Sequence, residues 1–155
     1  RVPPLPFTVD DVFPFRTRYR VYFEDTDVQK ITYHVSYVRF CERALFDMIR
    51  TVWPDLGEAS WMRRYRSSVS RLDIRYLKAT TLGDWLSART GIVRVSEKYV
   101  TFAQRLVLEG TGEVVADALT NVEFRDNAEQ LVPVPLQLAE TAETVMAANL
   151  RGRSG

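Results

Sequence analysis

Two aspartates and one histidine near the start of the chain have residue types and a spacing that could activate a carbonyl group. Asp25 and Asp27 flank a threonine, and His34, the only histidine, follows Asp27 by seven residues. A carboxylate can act as a general base or as a nucleophile. If a helix begins near the histidine, its free backbone N–H groups can bind a carbonyl oxygen. The spacing therefore indicates a site that holds a polarised carbonyl beside a base or nucleophile.

A structural interpretation of the same residues needs no chemistry. In a loop before a helix, an Asp-x-Asp sequence more often serves as a turn and cap device than as a catalytic pair, because short carboxylates accept hydrogen bonds from nearby backbone N–H groups. Asp25 is interpreted as such a turn residue. A single histidine is usually structural or exposed, so for His34 a direct part in the reaction and a structural role both stay open.

A long amphipathic helix is predicted directly after these residues. Apolar residues recur at spacings of three and four, which is typical of a helix with one buried face. The helix is predicted over residues 37–50, with Ser36 as its cap. Trp53-Pro54 and Gly57 are predicted to close it. The predicted buried face consists of Tyr37, Phe40, Cys41, Ala44, Leu45, Met48 and Ile49. Cys41 is therefore interpreted as a core residue rather than a nucleophile.

Alternating apolar and polar residues predict strands on both sides of this helix. Short turns between the later strands, such as Gly110-Thr111-Gly112, predict an antiparallel sheet. The economical packing lays the helix across one face of that sheet. The fold class is therefore α+β, with about five curved strands wrapped around one long helix and a short C-terminal helix over 136–150. The predicted strands are 16–23, 71–76, 85–95, 100–108 and 114–124.

Length and composition predict one domain in a reducing compartment. The 155 residues suffice for one buried core. We expect an extended lead-in at 1–15, which holds four of the seven prolines, a single domain at 16–150 and a flexible tail at 151–155. The net charge of +1 favours neither nucleic acid nor an anionic membrane, and no apolar run approaches the ~20 residues of a membrane span. A single cysteine and the lack of a signal-peptide pattern predict a cytoplasmic protein.

The run from residue 22 to residue 44 resembles the signature of a known enzyme family. Its elements are Asp25-Thr26-Asp27, Tyr33-His34, then Tyr37, Phe40 and Glu42-Arg43-Ala44. This order is similar to that of the hotdog-fold acyl-CoA thioesterases of the 4-hydroxybenzoyl-CoA thioesterase and YbgC type. The resemblance covers about residues 18–138. Its weaker supporting segments are Ile74 to Ala79, Leu82-Gly83-Asp84, Phe102-Ala103-Gln104 and Pro133-Val134-Pro135.

The resemblance implies a role for several residues. Asp27 matches the family's catalytic carboxylate, which attacks the carbonyl or acts as general base on water, and both routes stay open. The backbone N–H of residue 34 matches the group that binds the thioester carbonyl, and the ring of His34 matches a residue near the reacting centre. The predicted catalytic residues are Asp27 and His34. The predicted oxyanion and substrate-binding residues are Tyr33, His34, Lys30, Phe23, Phe102 and Gln104.

Three positions in the first motif depart from the family pattern. Phe23 stands where the YbgC branch commonly has a tyrosine, so a hydroxyl group is missing. Lys30 replaces a glycine that can serve a turn with positive φ. The ammonium group of Lys30 could instead meet a phosphate or an acidic carrier protein. Thr32 stands where the pattern has an aliphatic residue.

The resemblance further implies a thioester hydrolase without metal or bound cofactor, with coenzyme A or phosphopantetheine as part of the substrate. It implies a homodimer, commonly paired into a homotetramer, with the active site at the dimer interface. A sheet covered on one face by a single helix has another surface to bury, which independently predicts assembly. Three alternatives are a thioesterase for acyl-carrier proteins in polyketide or fatty-acid biosynthesis, a hotdog dehydratase, and a non-catalytic acyl-binding or RNA-binding module.

Overall fold

A computed structural model describes residues 15–52 and 65–153 of the chain. Two helices and six strands follow one another in the order β1, α1, β2 to β6 and α2. Their bounds are Phe15–Arg20 (β1), His34–Val52 (α1), Arg66–Tyr76 (β2), Trp85–Val95 (β3), Tyr99–Leu108 (β4), Val114–Arg125 (β5), Leu131–Val132 (β6) and Leu136–Arg153 (α2). The predicted α+β class and the five long strands are confirmed.

The strands form one antiparallel sheet in the order β1-β3-β4-β5-β2, and the short β6 pairs with β5. β2 begins at Arg66, five residues before its predicted start. The reason is a shift of register between Val69 and Arg71 where β2 pairs with β5. A bulge of this kind inserts an extra residue and interrupts the alternation on which the prediction depends. β1 and β2 are the two edges of the sheet.

The strand β1 ends at Arg20, three residues before its predicted end. Phe23–Asp25 form a short 3-10 turn instead. The backbone N–H of Val21 donates to the carbonyl oxygen of Asp84, 2.9 Å away, and the chain then bends towards α1. Of the predicted lead-in, Phe15 already belongs to β1 and pairs with Thr90, whereas the remainder lies outside the described residues.

Helix α1 lies across one face of the sheet. All seven residues of its predicted apolar face are buried, which confirms that face. The helix begins at His34, so the predicted start at residue 37 and the predicted cap were wrong. Ser36 lies in the first turn, where its hydroxyl donates to the carbonyl oxygen of Asp25 at 3.1 Å. The predicted closing residues Trp53-Pro54 and Gly57 lie outside the described part of the chain.

Two apolar clusters hold the helix on the sheet. The first half of α1 packs with β3, β4 and β5, and the ring of Tyr19 on β1 stacks on Phe40 with centroids 5.6 Å apart. The second half packs with Phe102 and Phe124 and with Leu138 of α2. Helix α2 thus covers the far end of the core. It extends to Arg153, so the first three residues of the predicted tail are helical.

Neither helix, within the residues described, is both long enough and apolar enough to span a membrane.

Candidate active site

The loop between β1 and α1 is fixed to the helix start by Asp25. The carboxylate of Asp25 is buried, and its Oδ2 accepts a hydrogen bond from the backbone N–H of Tyr22 at 2.9 Å. Its carbonyl oxygen accepts from the backbone N–H of Tyr33 at 2.8 Å and from the hydroxyl of Ser36. Asp25 therefore has the turn role that was predicted for it, and it sets the path of the chain into the helix.

Asp27 lies in a tight turn whose backbone hydrogen bonds join it to Ile31 and Lys30. Its Oδ1 accepts from the backbone N–H of Gln29 at 2.8 Å and more weakly from that of Ile31 at 3.4 Å. The side chain is exposed, and among the described residues nothing donates to its Oδ2. One carboxylate oxygen thus orients the group, and the other is open to a reactant.

Lys30 has the backbone conformation that the family glycine would have. Its φ is 62°, and its N–H donates to the carbonyl oxygen of Asp27 at 2.9 Å. The predicted turn with positive φ is therefore present, at a conformational cost of about 1 kcal/mol or more for a residue with a side chain. The Lys30 side chain is exposed on the same turn as Asp27.

The start of α1 presents free backbone donors. Tyr33 donates its N–H to Asp25, and Ser36 donates its N–H to the carbonyl oxygen of Tyr33. The N–H groups of His34 and Val35 donate to no acceptor within the described residues. They belong to the first turn, which lacks helical acceptors and carries the positive end of the helix dipole. The backbone N–H of residue 34, which is predicted to bind the thioester carbonyl, is thus available, together with that of Val35.

Two aromatic rings, those of Tyr33 and Tyr76, lie beside the exposed His34 side chain. The ring of His34 lies 4.6 Å from that of Tyr33 and 5.9 Å from that of Tyr76, which in turn lies 5.8 Å from the ring of Tyr37. Burial raises the pKa of Tyr76 above its usual value, so its phenol stays protonated at neutral pH. Tyr76 ends β2 and was not predicted as a site residue. Its position in the alternating pattern of β2 was the only sign of which face it occupies.

A buried group of hydroxyls ties the loop to the helix. The hydroxyls of Tyr37 and Thr80 are 2.9 Å apart, and those of Thr32 and Thr80 are 2.7 Å apart. The Tyr37 oxygen also accepts from the backbone N–H of Thr80. Thr32, one of the departures from the family pattern, therefore has a structural partner. Thr80 was missed, because nothing in its local sequence indicates this long-range contact.

We expect Tyr37→Phe to lower the free energy of unfolding by about 1–3 kcal/mol, because it leaves the buried N–H of Thr80 without its acceptor. Urea unfolding measures this change. Tyr99→Phe is the control, since the Tyr99 hydroxyl makes no hydrogen bond among the described residues. An equal loss of unfolding free energy in Tyr37→Phe and Tyr99→Phe would contradict a stabilising role for the Tyr37 hydroxyl.

The other predicted residues do not all gather at the helix start. Phe23 is 76% exposed on the 3-10 turn. Phe102 is buried in the core cluster under the second half of α1, so it packs the core, and it is not among the residues that line the cavity described below. Gln104 is buried beneath Cys41, where its Nε2 donates to the Cys41 carbonyl oxygen at 2.6 Å. Of the predicted residues, Asp27 and Lys30 thus share one turn, and Tyr33 and His34 lie together at the helix start.

A cavity of about 310 Å³ lies between α1 and the strands β2, β4 and β5. Its walls are mainly apolar, and Gln104 and Thr120 are among its polar residues. Cys41 also lines it, and burial raises the pKa of its thiol to about 12, so the thiol is not a nucleophile at neutral pH. The other apolar wall residues are Val38, Leu45, Phe46, Ile49, Val69, Leu72 and Val122.

Solved structures share this architecture. The probable thioesterase YbaW from Escherichia coli has a TM-score of 0.69 at 24% identity, with 86% of this chain and 99% of that chain covered. The DHNA-CoA thioesterase from Staphylococcus aureus has a TM-score of 0.75 at 20% identity, with 88% and 93% covered. The curved antiparallel sheet packed on one long helix is therefore the hotdog fold.

Sequence comparison gives the family. Residues 21–148 match the model of the thioesterase-like superfamily. The acyl-CoA thioester hydrolase YbgC of Escherichia coli O157:H7 is 36% identical over 93 residues, which are 60% of this chain and 69% of that protein. The acyl-CoA thioesterase YbgC of Haemophilus influenzae is 33% identical over 101 residues, with 64% and 71% covered. The chain belongs to the thioesterase-like superfamily and is a YbgC-like thioester hydrolase.

Proposed function

We propose that the chain hydrolyses an acyl-CoA thioester to the free acid and coenzyme A, with Asp27 as its catalytic carboxylate. The names of the YbgC relatives support the acyl-CoA substrate. The observation that carries the role of Asp27 is the antiparallel bridge between Thr26 and Thr32. Because this bridge closes the loop on itself, Asp27 lies across from the residues that lead into the helix.

In the proposed reaction the thioester carbonyl oxygen accepts hydrogen bonds from the N–H groups of His34 and Val35. These donors are fixed before the substrate arrives, and they stabilise the negative charge that develops on the oxygen. The dipole of α1 adds a positive potential at the same point. The rings of His34 and Tyr33 border this position and orient the acyl group or a water molecule.

Asp27 can then act by either of two routes. As a nucleophile, its Oδ2 attacks the carbonyl carbon, the C–S bond breaks with release of the thiolate, and water hydrolyses the resulting anhydride. As a general base, Oδ2 takes a proton from water while the water oxygen attacks, and the proton returns to the departing thiolate. Both routes are balanced without a metal or a bound cofactor, because the coenzyme A moiety arrives with the substrate.

A panel of aromatic, short, medium and long acyl-CoA thioesters tests the proposal, with release of the free thiol as the measurement. We expect turnover of at least one class by the wild-type chain, and its loss in Asp27→Asn. Turnover that is unchanged in Asp27→Asn would overturn the role of Asp27, and no turnover of any thioester would overturn the activity.

A carrier-protein thioester is the second candidate substrate, and the surface around Asp27 supports it. Lys30 is exposed on the Asp27 turn, and Val28 and Phe23 expose apolar side chains beside it. An acidic carrier protein could meet such a surface. Steady-state rates on an acyl-CoA and on the matching acyl-carrier protein, for the wild type and Lys30→Ala, separate the two. Equal or better turnover of the coenzyme A ester by the wild type would defeat this candidate.

We further propose a homodimer in which the β2 strands of two copies pair edge to edge. Within the part of the chain that the structure describes, β2 pairs on one side only, with β5, and it exposes Val69, Leu72 and Tyr76. A long edge strand with exposed apolar side chains is a template for pairing with another chain. The opposite edge, β1, has six residues against eleven in β2, and a short edge strand disfavours such pairing. Because Val69 and Leu72 also line the cavity, the second copy would help to enclose it. Pairing of two dimers into a tetramer remains a further proposal.

We expect Val69→Lys to convert the assembly into monomers, because it puts a charge at the centre of the β2 edge. Sedimentation velocity measures the assembly state. Thr17→Lys on the β1 edge is the control and should leave the assembly intact. Dissociation by the β1 variant alone would contradict the proposed interface.

A further inference from the structure

We propose that the cavity beneath α1 binds a medium-length acyl chain that carries a hydroxyl group, which Gln104 and Thr120 recognise. This inference rests on the proposed thioesterase function and specifies its substrate class. Both residues are almost fully buried, at 1% and 4% exposed, and both line the cavity.

The cavity begins one helical turn beyond the proposed carbonyl site. Val38, which lines it, lies four residues after His34 and therefore on the same face of α1. Gln104 contacts the carbonyl oxygen of Cys41, seven residues after His34, which is about 10 Å along the helix axis. An acyl chain held at the helix start and running beneath α1 would reach Gln104 with its distal part. The apolar walls suit the methylene groups between the two points.

The amide of Gln104 has a determined orientation. A backbone carbonyl oxygen only accepts, so the atom 2.6 Å from the Cys41 oxygen must be the NH₂ group. The second N–H of this group is directed to the hydroxyl of Thr90 at 3.1 Å. The amide oxygen, Oε1, accepts no hydrogen bond from any described residue. It is therefore a free acceptor on a buried residue that lines the cavity.

The hydroxyl of Thr120 complements this acceptor. Thr120 pairs with Phe102 across β4 and β5, and Gln104 pairs with Ala118, so Gln104 and Thr120 are diagonal neighbours on the helix-facing side of the sheet. The Thr120 hydroxyl makes no hydrogen bond with any described residue. A hydroxyl can both donate and accept. Thr120 can therefore donate to the oxygen of a ligand hydroxyl, and that ligand hydroxyl can donate its own proton to Oε1 of Gln104.

A ligand hydroxyl fits this pair better than any other simple group. It donates to Oε1 of Gln104 and accepts from the hydroxyl of Thr120. A keto group could satisfy only Thr120. A saturated chain would bury both polar groups without partners, which costs about 1–3 kcal/mol for each. Sites with buried polar groups discriminate strongly against analogues that leave those groups unpaired.

The test compares octanoyl-CoA with 8-hydroxyoctanoyl-CoA and 3-hydroxyoctanoyl-CoA as substrates of the full chain. We expect the wild type to favour the distal hydroxyl over the unsubstituted chain by about tenfold or more in kcat/KM. Thr120→Val and Gln104→Met should each lower this ratio by about tenfold. Thr101→Val is the matched control, because Thr101 is also on the central strand β4. Its hydroxyl donates to Asn121, outside the cavity. It should leave the ratio unchanged.

The ratio separates recognition from stability, because a loss of folded enzyme lowers both rates equally. A wild-type ratio of one or less would overturn the inference while leaving the thioesterase function standing. A ratio unaffected by Thr120→Val and Gln104→Met would overturn the role of these residues. A preference for the 3-hydroxy substrate would overturn the proposed depth of the site. No hydrolysis of any of the three, or of other acyl thioesters, would overturn the function itself.

Discussion

Asp27→Asn is expected to reduce kcat/KM for thioester hydrolysis by about a hundredfold to ten-thousandfold, the range for loss of a positioned acid–base group. The change removes the charge and the basicity of Oδ2 and keeps an oxygen that can accept from the N–H of Gln29. The turn should therefore stay folded. Hydrolysis rates at saturating and limiting substrate measure the effect, and a melting curve shows that the variant is intact.

The chain contains a matched control for this substitution. Asp126 lies in a turn with the same bonding: its Oδ1 accepts from the N–H groups of Ala128 and Gln130. Glu129 has a φ of 62°, as Lys30 has in the Asp27 turn. Asp126→Asn therefore makes the same change in the same kind of turn, between β5 and β6. It should leave the rate almost unchanged, and an equal loss in both variants would show that the turn, rather than the carboxylate, matters.

This repeated turn also separates what is structural about Asp27 from what is chemical. The carboxylate, the bonds to Oδ1 and the positive φ all occur at Asp126 as well, so they define a turn and not a catalytic site. The difference is the neighbouring element. The Asp27 loop leads into the start of α1 with its two free N–H groups, whereas the Asp126 turn leads into the short strand β6. A catalytic role for Asp27 therefore depends on the helix start.

Local sequence patterns were sufficient to predict the features that depend on residues close together in the chain. The apolar face of α1 repeats at helical spacing and is buried as predicted. β3 has the bounds that its alternation indicated, and Gly110 and Gly112 have the positive φ of the predicted turn. The positive φ of Lys30 followed from the family motif. In each case the determining interactions lie within a few residues of one another.

Long-range contacts were not predictable from one sequence. The bulge at Val69 and Arg71 depends on how β2 fits β5, so the first half of β2 was missed. The contact of His34 with Tyr76 and the proximity of Gln104 to Thr120 both depend on strand register. The early start of α1 depends on hydrogen bonds from the preceding loop. Phe102 and Gln104 lie two residues apart on the same face of β4, yet one packs the core and the other lines the cavity.

The second large effect is expected on the opposite face of the sheet, at Asp117. Its carboxylate is fully buried and is bound at both oxygens by Arg105, at 2.7 and 3.1 Å. Strand pairing also sets Arg89 beside Arg105 and Arg75 beside Asp117. Asp117→Asn would remove the carboxylate charge that the mostly buried guanidinium of Arg105 binds, at a point where strand pairing brings other arginines close. We expect the free energy of unfolding to fall by about 3–5 kcal/mol.

The predicted loss of unfolding free energy is large because Asp117 and Arg105 are buried. The exposed pair of Arg18 and Glu109 tests this reason. That pair has the same two-bond geometry, at 2.7 Å for each bond, but Arg18 is 59% exposed and water screens it. Glu109→Gln should therefore shift the urea midpoint far less than Asp117→Asn. Adding Arg105→Met to Asp117→Asn removes the guanidinium that has lost this carboxylate and should recover part of the loss. If Glu109→Gln were as damaging, or if the second change gave no recovery, the cost would not come from the buried charge of Arg105.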